Sequence, residues 1–211
     1  MLDNNGITAS RGIVRADGIE TPALLVDMDI LEVNINKMAG YFDGKKAKLR
    51  PHFKTFKCPA IAHMMLAAGA KGITCAKLGE AQVLAEAGVQ DILIANQIVD
   101  RQKIGRLAGL AKTARMSVCV DDPRNVDDLS AAAKAHGSTI HVLIEVDVGM
   151  GRCGINTGGE ALALAQMATV FVPEDAQRFA NRREDGADPD AMLGVVTRLR
   201  SVLADAGFSP R

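Results

Sequence analysis

The sequence contains no tryptophan, one tyrosine and six phenylalanines, so aromatic residues make up 3% of its 211 positions. Platforms for stacking unpaired bases are hard to build from so few rings. An excess of one charge is missing as well, because 25 basic and 25 acidic side chains leave a formal net charge of zero. A surface that holds an extended polyanion carries a basic excess, so nucleic acid is not an expected partner. No apolar run approaches the roughly 20 residues needed to cross a bilayer, so no membrane partner is expected either. The start Met1-Leu2-Asp3-Asn4-Asn5 lacks the basic and then apolar regions of a secretory signal. Four cysteines, at 58, 75, 119 and 153, are too few and too dispersed for a disulfide framework or a CxxC zinc site. These absences describe a soluble protein of a reducing compartment, the cytoplasm.

What is present is a rhythm. Apolar residues form 48% of the chain, enough for one large domain or two small ones. Residues 1–20 read as a loose leader. Beyond them, short runs rich in Val, Ile and Leu alternate with segments of helical period, the pattern of repeated βα units. Strands are predicted at 23–27, 47–50, 72–75, 91–95, 116–120 and 140–148, with helices at 29–42, 58–68, 77–87, 100–113, 123–136 and 158–168. Gly69, Gly88 and Gly137 each follow a helix, where a left-handed closing residue is needed. Pro59 and Pro123 sit where a first helical turn tolerates a missing N–H, and Asp121 and Asp122 can cap the second of these helices. Six βα units without a hairpin signal mean a parallel sheet. A (β/α)8 barrel and an open doubly wound sheet both fit.

The rhythm breaks after Met167. Residues 173–190 are strongly polar, a helix is predicted again near 191–206, and the chain stops where another strand would begin. A complete barrel typically needs about 250 residues.

Two segments could carry chemistry. Arg50-Pro51-His52-Phe53-Lys54-Thr55-Phe56-Lys57 ends the second predicted strand, and alternation puts Arg50, His52 and Lys54 on one face. A lysine at the carboxyl end of a barrel strand, among other cations, is a candidate for Schiff-base chemistry. Solvated loop lysines are the plainer reading of Lys54 and Lys57. The second segment, Gly149-Met150-Gly151-Arg152-Cys153-Gly154, matches G-x-G-x-x-G after a strand. Against a dinucleotide site stand Glu145 and Asp147, which repel a pyrophosphate, and Ile155-Asn156-Thr157-Gly158-Gly159, which does not continue as helix. The alternative is a glycine turn that presents Arg152 to an anionic oxygen. Asn96 follows the fourth predicted strand and could donate into a site, although loop asparagine is also ordinary turn chemistry. His63, His136 and His141 lack ligand spacing, and the cysteines are expected to pack as small apolar residues.

Four motifs occur in order: Thr21-Pro22-Ala23-Leu24-Leu25-Val26-Asp27, the segment 50–57, Gly79-Glu80-Ala81, and Glu145 to Gly154. Together they resemble the fold-type III pyridoxal-phosphate enzymes grouped with D-threonine aldolase, D-serine dehydratase and 3-hydroxy-D-aspartate aldolase. The first domain of that group is the (β/α)8 barrel shared with alanine racemase, and the resemblance runs from about residue 20 to about residue 167. It implies pyridoxal phosphate bound covalently to Lys54, Arg152 beside the cofactor's phenolic oxygen, and His52 and Asn96 lining the pocket. It further implies a lyase acting on small D-β-hydroxy amino acids. An aldolase would cleave the Cα–Cβ bond and a dehydratase would expel the β-hydroxyl.

The pattern is departed from in two ways. Phe56 stands where relatives often have His. The chain also lacks a seventh strand bearing a tyrosine, an eighth strand, the phosphate-binding loop and the β-rich second domain that holds a divalent metal in such enzymes. Its only tyrosine is Tyr41, in the first predicted helix. Residues 21–168 therefore read as a barrel part with about six of eight strands, and 169–211 as a remnant of later barrel sequence after an internal deletion near Ala168. An impaired enzyme without metal ligands of its own, in a homodimer as its relatives usually are, is the resulting expectation. A single-domain pyridoxal-phosphate carrier and an inactive fragment are the alternatives.

Overall fold

Helices alternate with β-branched runs throughout residues 18–147, 149–155 and 158–170, which the computed structural model describes. In order, the elements are α1 (Met28–Phe42), a 3-10 turn (Phe53–Thr55), α2 (Pro59–Ala67), β1 (Ile73–Cys75), α3 (Leu78–Glu86), β2 (Asp91–Ile94), α4 (Arg101–Leu110), β3 (Arg115–Val120), α5 (Pro123–His136), β4 (Ile140–Ile144) and α6 (Gly158–Val170). The described residues form two compact units. One comprises those up to Ala95 with Thr113–Met116, and the other comprises Asn96–Lys112 with those from Ser117 onward.

In the first unit β1 and β2 run parallel, with Ile73 opposite Ile92 and Cys75 opposite Ile94. The first residues of β3 continue the order, since the Arg115 N–H donates to Gln90 O at 2.8 Å. A parallel ladder buried on both faces needs near-continuous apolar runs, and every residue of β1 is buried. Ile73, Leu84, Ile92 and Ile94 are wholly removed from solvent. Each such side chain contributes about 1.5–3 kcal/mol. In the second unit the end of β3 neighbours β4, the Glu145 N–H donating to Val120 O at 2.9 Å. There α4 packs on α5, and α5 and α6 pack on β4.

The predicted punctuation is borne out. Gly69, Gly88 and Gly137 have φ of 99°, 84° and 60°, and Pro59 and Pro123 occupy first turns. Asp122 caps α5 as expected, and Asp27 and Asp100 accept backbone N–H bonds in the same way at the starts of α1 and α4, whereas Asp121, the other expected cap, accepts from Gln97 and Gly154 instead. Two predicted strands are corrected. Residues 23–27 form no regular strand and Leu24 is fully exposed, because a strand exists only where a neighbour completes its ladder. Residues 47–50 are paired on one side alone: Leu49 O and Pro51 O accept from Lys71 and Thr74, and His52 bridges Thr74. Four strands, not six, are therefore regular among the described residues. The sixth predicted strand also stops early, at Ile144 rather than 148. The leader up to residue 17 and the expectations for 171–211, including the polar stretch and the helix at 191–206, lie outside the described residues.

Arg50 belongs to this framework. Its guanidinium crosses to the Asp91 carboxylate, with nitrogen–oxygen distances of 2.9 and 3.0 Å, and passes over Gly72. A methyl group at Gly72 would fall against that guanidinium and 2.5 Å from Asp91 O, whereas one at Gly79 in α3 meets nothing within 4 Å. Urea unfolding is therefore expected to show Gly72→Ala destabilised by about 1–3 kcal/mol and Gly79→Ala stabilised by about 0.5–1 kcal/mol.

Candidate functional site

Two groups of side chains gather at the carboxyl ends of the strands, one in each unit. In the first, the backbone runs beside β1 as far as the His52 bridge to Thr74 and then tightens into the 3-10 turn. Strand alternation therefore ends at His52, and it is the turn that places Lys54. Phe53 is driven inward, 2% exposed, and Lys54 is turned out. The Lys54 N–H donates to His52 Nδ1 at 3.2 Å. That bond makes Nδ1 the acceptor and leaves the imidazole proton on Nε2. Burial first, and then the neighbouring Lys54 ammonium, hold the His52 pKa below its ordinary 6.5, against an opposing pull from Glu80. The ring is thus a neutral Nε2–H donor at neutral pH.

Among the described residues no carboxylate pairs with the Lys54 ammonium. The local acid serves Lys57 instead, whose Nζ lies 3.9 Å from Glu80. Glu80 also accepts the Ala76 N–H at 2.8 Å, ahead of α3. Lys57 closes the turn with φ of 45°, a left-handed conformation that costs a non-glycine residue about 1–2 kcal/mol. Cys75, beneath this group, is raised to about 12 by burial, so its thiol stays protonated.

In the second unit, Gln97, Asp121 and Glu145 follow the strands. Gln97 Nε2 donates to Asp121 Oδ2 at 2.9 Å and to Glu145 Oε2 at 2.7 Å. One carboxamide thus joins two carboxylates that would otherwise repel. The Cys153 thiol donates to Glu145 Oε1 at 3.0 Å and the Gly154 N–H to Asp121 Oδ2 at 2.9 Å. Cys153 is therefore a hydrogen-bond donor rather than a purely apolar filler, and this bond is the chief cause that raises its pKa. Burial raises Cys119 to about 11.

The glycine turn is built around Asp147. Its carboxylate accepts the N–H groups of Gly149, Met150 and Gly151 at 2.9 to 3.1 Å, and these bonds hold it below the usual carboxylate range. Gly149, Gly151 and Gly154 all have positive φ, and a Cβ on Gly154 would lie 2.6 Å from the Asp147 nitrogen. The donors that would cradle a pyrophosphate are already engaged, which closes the dinucleotide reading of this motif. What the turn leaves exposed is Arg152, and among the described residues no carboxylate pairs with it. Asn96 is exposed, and its Oδ1 accepts the Gln97 N–H at 3.1 Å.

Of the four expected site residues, then, His52 and Lys54 are joined in the first unit, while Arg152 and Asn96 belong to the second. Gln97 is a polar residue that the sequence reading passed over, and Asp121, read there as a helix cap, is another member of this group. Their signal was position, since each stands within three residues of a strand's carboxyl end, where ligands bind in parallel sheets. His63 contacts Ala87 O at 2.8 Å. Among the described residues, no three His, Cys, Asp or Glu side chains converge as metal ligands. No described helix is long and apolar enough to cross a membrane.

The alanine racemase N-terminal domain family matches residues 26–172. The chain belongs to this family. Its fold is accordingly the alanine racemase barrel of the fold-type III pyridoxal-phosphate enzymes, represented here by a parallel part of that barrel. D-threonine aldolase of Arthrobacter sp is 45% identical over 150 residues, which are 71% of this chain and 40% of that protein. 3-hydroxy-D-aspartate aldolase of Paracoccus denitrificans (strain Pd 1222) is 40% identical over 204 residues, 91% of this chain and 53% of that protein. The crystal structure of D-threonine aldolase from Filomicrobium marinum superposes with a TM-score of 0.68 at 48% identity, over 70% of this chain and 40% of that one. The chain thus spans about half or less of the length of these relatives.

Because burial depresses the His52 pKa in the folded state, the unfolded chain takes up that proton first as pH falls. The contribution of this ring is complete above 6.5 and declines through the lower folded value. Urea unfolding between about pH 5 and 7 is expected to show a shallower acid limb for His52→Gln, which retains an acceptor but does not titrate.

Proposed function

We propose that this chain is the cofactor-binding barrel part of a pyridoxal-phosphate lyase that acts on small D-β-hydroxy amino acids, an aldolase of the D-threonine aldolase kind. The observation that carries the reading is the Lys54 amine. Its residue is exposed at the carboxyl end of the strand region, its charge close enough to His52 to help keep that imidazole neutral, while the nearby Glu80 is engaged by Lys57 and Ala76. A lysine not held in an ion pair is available to an aldehyde, so Lys54 suits the covalent attachment of the cofactor, while no described residue is assigned to its phosphate.

Lys54 would hold pyridoxal phosphate covalently, and the Arg152 guanidinium would donate to an anionic oxygen of it. His52, with its proton on Nε2, offers a donor that adds no positive charge beside the amine. Asn96 adds a polar side chain at the carboxyl end of β2. When bound, the cofactor supplies an electron sink for the charge left by Cα–Cβ cleavage. The acid–base partners at the substrate hydroxyl, and the divalent metal expected from the resemblance, are not assigned to any described residue. A soluble cytoplasmic homodimer remains part of the proposal.

Borohydride reduction of the full chain in excess pyridoxal phosphate, followed by peptide mapping, is expected to place one phosphopyridoxyl group on Lys54. Lys54→Ala should abolish the labelling, and Lys57→Ala should leave it intact. A label on another lysine would overturn the reading. Release of an aldehyde from D-threonine supports the aldolase, whereas release of ammonia and a keto acid points to the dehydratase.

A further inference from the structure

The Gly149–Gly154 turn displays a cation by means of an anion. Its exposed product is Arg152, and its interior is the Asp147 carboxylate, which takes three successive backbone N–H groups. The base of the turn is closed by two backbone bonds, from the Asp147 N–H to Ile155 O at 2.9 Å and from the Ile155 N–H to Glu145 O at 3.0 Å. Its far end is tied to the end of β3 by the Gly154 N–H bond to Asp121. Three glycines at positive φ supply no packing of their own and gain most conformational freedom if the turn loosens. The internal bonds must therefore hold this backbone, and charge-assisted bonds to a carboxylate are the strongest available.

We propose that Asp147 is a positioning residue for Arg152, its carboxylate fixing the Gly149–Gly154 turn so that the guanidinium is presented in one place to an anionic oxygen of the cofactor. This rests on the assignment of Arg152 made above, and it adds a residue for which the motif alone gives no role. Asp147 itself touches neither cofactor nor substrate. Its influence passes through the backbone of the turn. Loss of its bonds lets Arg152 sample many positions, so binding weakens although the guanidinium is still present.

The test is a double-mutant cycle on the full chain, read from pyridoxal phosphate binding by near-ultraviolet and visible absorbance. Hydrogen exchange of the 149–154 amides, measured without cofactor, is the second readout. Arg152→Ala is expected to weaken cofactor binding about tenfold, the loss of one charge-assisted bond. Asp147→Ala should weaken it by a similar factor, speed exchange of the turn amides, and move the pH at which the bound chromophore changes colour in the same direction as Arg152→Ala. In the Arg152→Ala background, Asp147→Ala should have no further effect on binding. Asp147→Asn, whose carbonyl oxygen still accepts, should recover most of the affinity. If Arg152→Ala weakens binding and Asp147→Ala does not, or if the two losses are additive, the positioning role is refuted while the assignment of Arg152 stands. If Arg152→Ala leaves both affinity and colour unchanged, that assignment fails and the positioning role falls with it.

Discussion

In a parallel sheet every strand leaves at the same end, and within each unit this single constraint gathers the polar residues. Antiparallel pairing would scatter the residues that follow successive strands to opposite edges. Here Gln97, Asp121 and Glu145 follow β2, β3 and β4 and meet through one carboxamide. In the first unit the same directionality brings the end of the 49–52 segment to the level of Thr74, so that His52 and Lys54 emerge beside the start of α3. The aliphatic interior, with Ile73, Leu84, Ile92 and Ile94 wholly buried, holds the strands that make this possible.

The polar chemistry built on that frame is a matter of spoken-for charges. Glu80 takes Lys57 and a backbone N–H, Asp147 takes three backbone N–H groups, and Asp91 takes Arg50. Among the described residues, this leaves Lys54 and Arg152 as cations without carboxylate partners in the two conspicuous motifs. A cation already paired gains little from a new anion or aldehyde, so the distribution of partners says more about these two residues than their exposure does. The thiols point the same way, since Cys75 at about 12 and Cys119 at about 11 remain protonated and serve as packing.

Much of the frame was legible before any coordinates. Helix positions, the glycines at 69, 88 and 137 and the first-turn prolines follow from local rules that hold in any context. Residues 23–27 were misread for a complementary reason. The apolar run Ala23-Leu24-Leu25-Val26 suits a strand, but β structure is a property of a pair, and no described strand lies beside it. Alternation likewise put Lys54 on the face of Arg50 and His52, yet the chain winds into a 3-10 turn at Phe53, and it is this turn that buries the ring and leaves Lys54 exposed.

By itself the sequence determined the class of fold, the order of its βα units and the two motifs that carry Lys54 and Arg152, because each depends on residues close together in the chain. Only the tertiary structure decided which acids are already engaged. It also reduced the apparent nucleotide motif to a turn filled by its own aspartate, and it set Gln97 between Asp121 and Glu145. These are contacts between chain segments up to 48 residues apart, or between a carboxylate and backbone donors whose direction follows from φ and ψ. Composition and spacing do not encode either.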